Sequence, residues 1–151
     1  MDIELVIERA RRVHAARQVA GDVDSIKGGL RAISQLRSWL AASEAELRAQ
    51  LAPKVTFPEK DLADATRCSL GEATKASERS ETQGALPGFA DALDDATVTP
   101  AHVDEITKKA KGLTDEQRAE FHERVAELVP VAAAGSVRDF GKRLDHERRA
   151  V

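Results

Sequence analysis

The chain has 151 residues, 42% of them hydrophobic and 32% charged, and a net charge of -3. That length suits one domain, or one domain with a helical extension, and leaves little room for a two-domain enzyme. The balance is that of a folded chain, and the small net charge excludes a global field able to hold it on nucleic acid or an anionic membrane. Any polyanion contact must come from a local patch.

The apolar set is Ala, Leu and Val with four Phe, one Trp and no Tyr, which fills helix–helix seams better than it builds sheets. An all-α fold is expected. A single cysteine, Cys68, rules out an internal disulfide framework and a cysteine-rich zinc site and suits a reducing compartment. The first residues, MDIELVIERARRVHAARQ, alternate charged with apolar side chains and lack the core of a signal peptide. No stretch approaches the ~20 apolar residues of a membrane span. A cytoplasmic protein is expected.

In chain order, Ile3, Val6, Ile7, Ala10 and Val13 fall three and four residues apart, which predicts a helix over Ile3–Ala20 with one apolar face. Gly21 and Asp22 then supply a stop and a cap. The next segment has the clearest period: Ile26, Ile33, Leu40 and Leu47 recur every seven residues, interleaved with Leu30, Arg37, Glu44 and Leu51. A helix from about Ser25 to Leu51 would be roughly 40 Å long and needs a partner along its length. The Ile3–Ala20 helix folding back as an antiparallel hairpin could supply it, or a second subunit could. Arg37 and Glu44 interrupt the seam and would need partners if enclosed, which favours a homodimer with Ile26, Leu30, Ile33, Leu40 and Leu47 at its seam. Gly28 and Gly29 each cost a helix about 1 kcal/mol relative to Ala, so either the helix starts after them or they permit close helix approach.

Pro53 to Pro58 marks a boundary, dividing long N-terminal helices over 1–52 from a compact multi-helix bundle with helix-turn-helix-like elements over 56–151. The second half is dense in start signals. Thr56 with Glu59, Ser69 with Glu72, Thr114 with Gln117, and Ser136 with Asp139 each fit a cap and its third helical position, and Thr99 precedes Pro100. Apolar faces follow: Leu62 and Ala65; Leu70, Ala73 and Ala76; Leu86, Phe89 and Leu93; Val103, Ile106 and Ala110; Phe121, Val125 and Leu128; Val137, Phe140 and Leu144.

A metal site needs three or four ligands brought to one point. His14, His102, His122 and His146 each stand alone on a separate predicted helix, and no HExxH, CxxC or P-loop occurs. No catalytic residue, metal, cofactor or small-molecule substrate is implied. Two segments have helix-turn-helix spacing. In the first, Glu59–Thr66 would be followed by a turn at Arg67–Ser69 and a second helix over Leu70–Glu81, but Lys75 and Arg79 share that helix with Glu72, Glu78 and Glu81, which argues against groove reading. The second, GFADALDDATVTPAHVDEITKKAK, begins acidic and ends in Lys108, Lys109 and Lys111. Basic residues are denser at Arg9, Arg12 and Arg17, and at Arg138, Lys142, Arg143, Arg148 and Arg149. Those two groups are the candidate contacts to double-stranded DNA, weak and indifferent to sequence; favourable charge at a helix C-terminus explains the second group as well.

The run CSLGEATKASERSETQGALPGFADAL, the VTPAHVDEITKKAKGL run after it, the final RDFGKRLDHERRAV, and Arg37-Ser38-Trp39-Leu40-Ala41-Ala42 ahead of them carry a resemblance. From about Asp61 to Val151 the order of elements resembles the actinobacterial family known as domain of unknown function 222, the N-terminal part of many HNH endonucleases. The resemblance implies a non-catalytic accessory region ahead of a nuclease module that supplies the metal and the general base. Family members usually continue beyond the point matching Val151, so a truncated member is expected, and no position matched here belongs to the nuclease motif. Two functions remain open at this stage. One is an accessory domain assisting DNA binding or assembly of such a nuclease; the other is a protein-interaction or dimerisation module with no nucleic-acid role.

Overall fold

A computed structural model describes residues 1–18 and 21–151. Among the described residues the fold is all-α, with nine α-helices and a 3-10 turn at Ala52–Lys54. The first two helices, α1 (Ile3–Gln18) and α2 (Val23–Leu51), pack on each other as a hairpin. The expected end of the first helix at Val19 and Ala20 lies outside the described residues. Asp22 caps α2 by accepting the Ser25 amide at 2.8 Å, which satisfies one of the orphan donors of the first turn.

Gly28 and Gly29 lie inside α2, and Gly29 explains the hairpin. A Cβ built there would stand 2.7 Å from the Ala16 Cβ, so only glycine lets α1 come this close. The buried face of α2 is made of small residues: Gly29, Ala32, Ser38, Ala41 and Ala42.

Of the two ways to cover the heptad row of α2, the folding back of α1 does not do so. Ile26 is 48% exposed, Leu30 60%, Leu40 54% and Leu47 65%, with Ile33 half-buried. The physical reason is that the small-residue face permits closer backbone approach than the Ile and Leu row, so α1 and the rest of the bundle settle on the small face instead. On α1 the expected face shifts likewise: Val6 and Val13 are half-buried while Ile3 and Ile7 are exposed.

Seven shorter helices follow: α3 (Pro58–Thr66), α4 (Leu70–Ala85), α5 (Pro87–Asp94), α6 (Pro100–Ala110), α7 (Asp115–Ala126), α8 (Val129–Ala134) and α9 (Val137–Arg149). Ser69 with Glu72 and Thr114 with Gln117 form reciprocal capping boxes, and Ser136 accepts the Asp139 amide at 3.1 Å. Thr56 does not cap α3. Its N-cap is Phe57, with Pro58 taking the first helical position, where a missing N–H costs nothing. Arg67 closes α3 in the left-handed region at φ 58°, which turns the chain within three residues into α4.

One apolar cluster holds the bundle. Phe89, Phe121, Phe140, Leu86, Leu93, Ile106, Leu144, Val98, Val103 and Val125 are essentially inaccessible, and the Phe89 and Phe140 rings lie 5.9 Å apart at 38°. Ala41 and Ala42 of α2 belong to the same cluster, so α2 packs across the Pro53–Pro58 boundary onto α4 and α5. The contacts Arg48–Ser77 and Ala45–Ser80 set α2 and α4 antiparallel. Those of Glu105 with Gly141 and Lys109 with Asp145 set α6 and α9 parallel. Leu70, expected in the core, is 61% exposed, because the inward face of α4 is instead Ala73, Ser77, Ser80, Thr82 and Gln83.

Phe140→Ala should destabilise the chain by about 3–5 kcal/mol, the cost of a large cavity in a packed core. Leu40→Ala, measured by urea unfolding in dilute solution, should change stability by no more than about 0.5 kcal/mol, as at an exposed site. A large loss at Leu40 under those conditions would contradict its exposure.

Candidate functional site

The first helix-turn-helix segment forms as α3, the Arg67 turn and α4, yet the cations that could read a groove are already engaged. Arg79 donates through Nε and Nη2 to the two carboxylate oxygens of Asp104 on α6, at 2.6 and 2.9 Å. Lys75 reaches the same carboxylate at 3.4 Å. Such a bidentate charge-assisted pair is among the stronger polar contacts a partly buried surface can make. Next to it Thr82 and Thr107 join their hydroxyls at 2.7 Å. On the other side of α4, Arg48 of α2 donates to Ser77, Glu59 and Glu81 at 3.2, 3.1 and 3.3 Å, tying α2, α3 and α4 together. Sequence reasoning missed Asp104 and Arg48 as partners because each lies 25 or more residues from the α4 groups it holds, and no local spacing signals such a pair.

The second helix-turn-helix segment is α5 and α6. Two of its three lysines are drawn to other helices, Lys109 to Asp145 at 2.5 Å and Lys111 to Glu78 at 2.8 Å, while Lys108 makes only an exposed contact of 3.5 Å to Glu105.

The candidate DNA contacts divide by helix. On α9, Arg143 pairs with the buried Glu147 at 2.7 Å, and Arg148 is half-buried, donating to the Lys111 carbonyl at 3.1 Å. Those two arginines hold the helix. Arg138 and Arg149 are exposed and form no ion pair among the described residues, while Lys142 makes only an exposed contact of 3.5 Å to Asp139. Positions 138, 142 and 149 recur on one side of the helix, so three cations face outward in a row. On α1, Arg9 is half-buried and Arg12 pairs with Glu8 at 3.0 Å, one turn away; Arg17 is exposed. α1 packs on α2, and α9 on α6, α7 and α8, so packing does not join the two basic groups.

No protein-family model, curated protein or solved structure matches the chain. Its functional reading therefore rests on its own surface chemistry and on the sequence resemblance.

Among the described residues no three His, Cys, Asp or Glu side chains converge as metal ligands, and no helix is long and apolar enough to cross a membrane. Cys68 is half-buried beside the Thr66 hydroxyl, 3.1 Å away. His102 is buried and His122 half-buried. His102 occupies the third position of α6, accepts the Thr99 amide on Nδ1 at 3.1 Å, and lies 5.6 Å from the Phe140 ring. Its Nε2 is buried without a full hydrogen bond. Burial pushes the ring's pKa down, and the Gly135 carbonyl opposes that shift without cancelling it. His122 on α7 is pushed down by burial and then by the Arg118 charge, and its Nε2 is likewise unpartnered.

A histidine whose pKa falls on folding binds fewer protons folded than unfolded, so its contribution is complete above the unfolded value of about 6.5 and is lost as pH drops below it. Stability to urea should therefore decline from about pH 7 toward pH 5 through these two rings. His102→Gln keeps an acceptor for the Thr99 amide and removes one titration. Its unfolding midpoint should fall less over that range than that of the native chain, and an equal fall in both would contradict the burial of a neutral His102.

Proposed function

We propose that the chain is a non-catalytic helical accessory domain of an HNH-type endonuclease, and that the outward row on α9 meets the DNA backbone. The observation carrying this reading is a contrast in how cations are used. Arg79, on the helix positioned like a recognition helix, is clamped by Asp104, with Lys75 alongside at 3.4 Å, whereas Arg138, Lys142 and Arg149 face solvent with at most one weak contact. A cation held by a carboxylate must lose that partner before it can bind phosphate; a solvated one loses only counterions and water. The resemblance of Asp61–Val151 to the region ahead of HNH modules supports the nuclease context.

A surface of this kind contacts phosphates and does not read bases, so it positions without specifying. Binding should fall in the nonspecific range of roughly 10⁻⁴–10⁻⁶ M at physiological salt and weaken steeply as salt rises. Replacing Arg138, Lys142 and Arg149 together by Ala should lower affinity about tenfold or more for unrelated duplexes and reduce the salt slope by about one per cation removed. Lys75→Ala should leave affinity within about twofold, since that lysine already serves Asp104. Fluorescence anisotropy at several ionic strengths measures all three. No duplex binding at low salt, or a sequence preference that depends on Lys75, would overturn the assignment of α9.

A further inference from the structure

The row on α2 runs Ile26, Leu30, Ile33, Arg37, Leu40, Glu44, Leu47 and Leu51, alternately four and three residues apart. Ile26, Leu30, Leu40 and Leu47 are exposed, and Ile33 and Leu51 are half-buried. The flanking positions are occupied within the chain: Gly29 by the close approach of Ala16, and Ala41 by the apolar core. The row is thus an open strip along the longest helix.

We propose that this strip is covered by the same strip of a second copy of the chain, with the two α2 helices antiparallel. Four-three spacing is that of a seam in which each side chain enters a hole between those of the facing helix. With the two-fold axis between Arg37 and Leu40, Ile26 lies opposite Leu51 of the second copy, Leu30 opposite Leu47, Ile33 opposite Glu44, and Arg37 opposite Leu40. Every residue of the row finds a counterpart, and the contact extends for about 40 Å at 1.5 Å per residue.

Charge selects the direction. In the antiparallel arrangement Arg37 stands about 6 Å along the axis from Glu44 of the second copy, within the reach of a guanidinium, and symmetry makes the pair twice, against a single approach of the two Arg37 side chains about 4.5 Å apart along the axis. In a parallel arrangement in register Arg37 would face Arg37 and Glu44 would face Glu44. Neither residue has an ion pair within its own chain among the described residues. Both are therefore available to a partner, and the two charges that look like defects in an apolar seam become its determinants of register. This association does not rest on the nucleic-acid reading of α9.

Sedimentation equilibrium over a concentration series tests it with four chains: native, Arg37→Glu, Glu44→Arg, and the double exchange. The native chain should dimerise; each single exchange, which sets like charges together in both halves, should weaken the dimer about tenfold or more, and the double exchange should restore it to within about threefold. Circular dichroism of each variant in dilute solution should show an unchanged helical fold. Independently of charge, on a Cys68→Ser background, a mixture of Leu30→Cys and Leu47→Cys chains should oxidise to disulfides joining position 30 of one copy to position 47 of the other. A native chain that is monomeric at every concentration would overturn the proposal and leave the strip to a different partner. A double exchange no tighter than the single ones, or disulfides joining position 30 to position 30, would overturn the antiparallel register.

Discussion

Arg79 meets Asp104 through two parallel N–H···O bonds, with Lys75 leaning on the same carboxylate, and this pair fastens α4 to α6. Because α4 also carries the Ser77 and Glu81 contacts of Arg48, it links the hairpin to α6, beside the apolar packing of α2 on α5. The linkage is polar: Ser77, Ser80, Thr82 and Gln83 are buried on α4 where a bundle more often places Leu. Polar contacts need particular angles and distances, so they set the orientation of α4 more narrowly than apolar packing would. The same contacts remove α4 from any role that needs free cations.

The hairpin follows a different physical rule. Close packing favours the face with the smallest side chains, and α2 has two candidate faces, one of Gly, Ala and Ser and one of Ile and Leu. The small face is buried within the chain because a glycine at position 29 lets α1 approach without obstruction. What remains outside is a row with the spacing of a coiled-coil seam. On this helix the small residues are hidden and the large aliphatic ones displayed, the reverse of the bundle core.

Much of the fold could be read from local signals. Capping pairs such as Ser69 with Glu72 and Thr114 with Gln117 act within four residues, and they mark the starts of α4 and α7 correctly. The inward positions of α5, α6, α7 and α9, with Phe89, Ile106, Phe121 and Phe140, follow from helical period and side-chain size. Periodicity did not say which face of α2 the chain itself would bury, because two periods compete on that helix. The heptad of α2 is the stronger pattern, but the weaker small-residue face wins burial because backbone distance, which no residue count reports, decides the contact. Leu70 and Thr56 failed for a related reason: at a helix start, the path of the preceding chain determines which side chain turns inward. The engagement of Lys75 and Arg79 was invisible, since Asp104 becomes their neighbour only when α6 folds against α4. On the candidate DNA surface, helical period grouped positions 138, 142 and 149, but only the fold separates them from Arg143 and Arg148, which it spends on Glu147 and the Lys111 carbonyl.

α6 and α9 lie parallel, the chain returning between them through α7 and α8. Their peptide dipoles add instead of cancelling, and both carbonyl-bearing ends emerge at the same pole, where Lys108, Lys109, Lys111, Arg148 and Arg149 gather. The cations oppose the partial negative charge of the two helix ends. A net charge of -3 thus describes a sum and not an arrangement. Two helix ends that would otherwise crowd like partial charges together carry their own counter-charge at that pole.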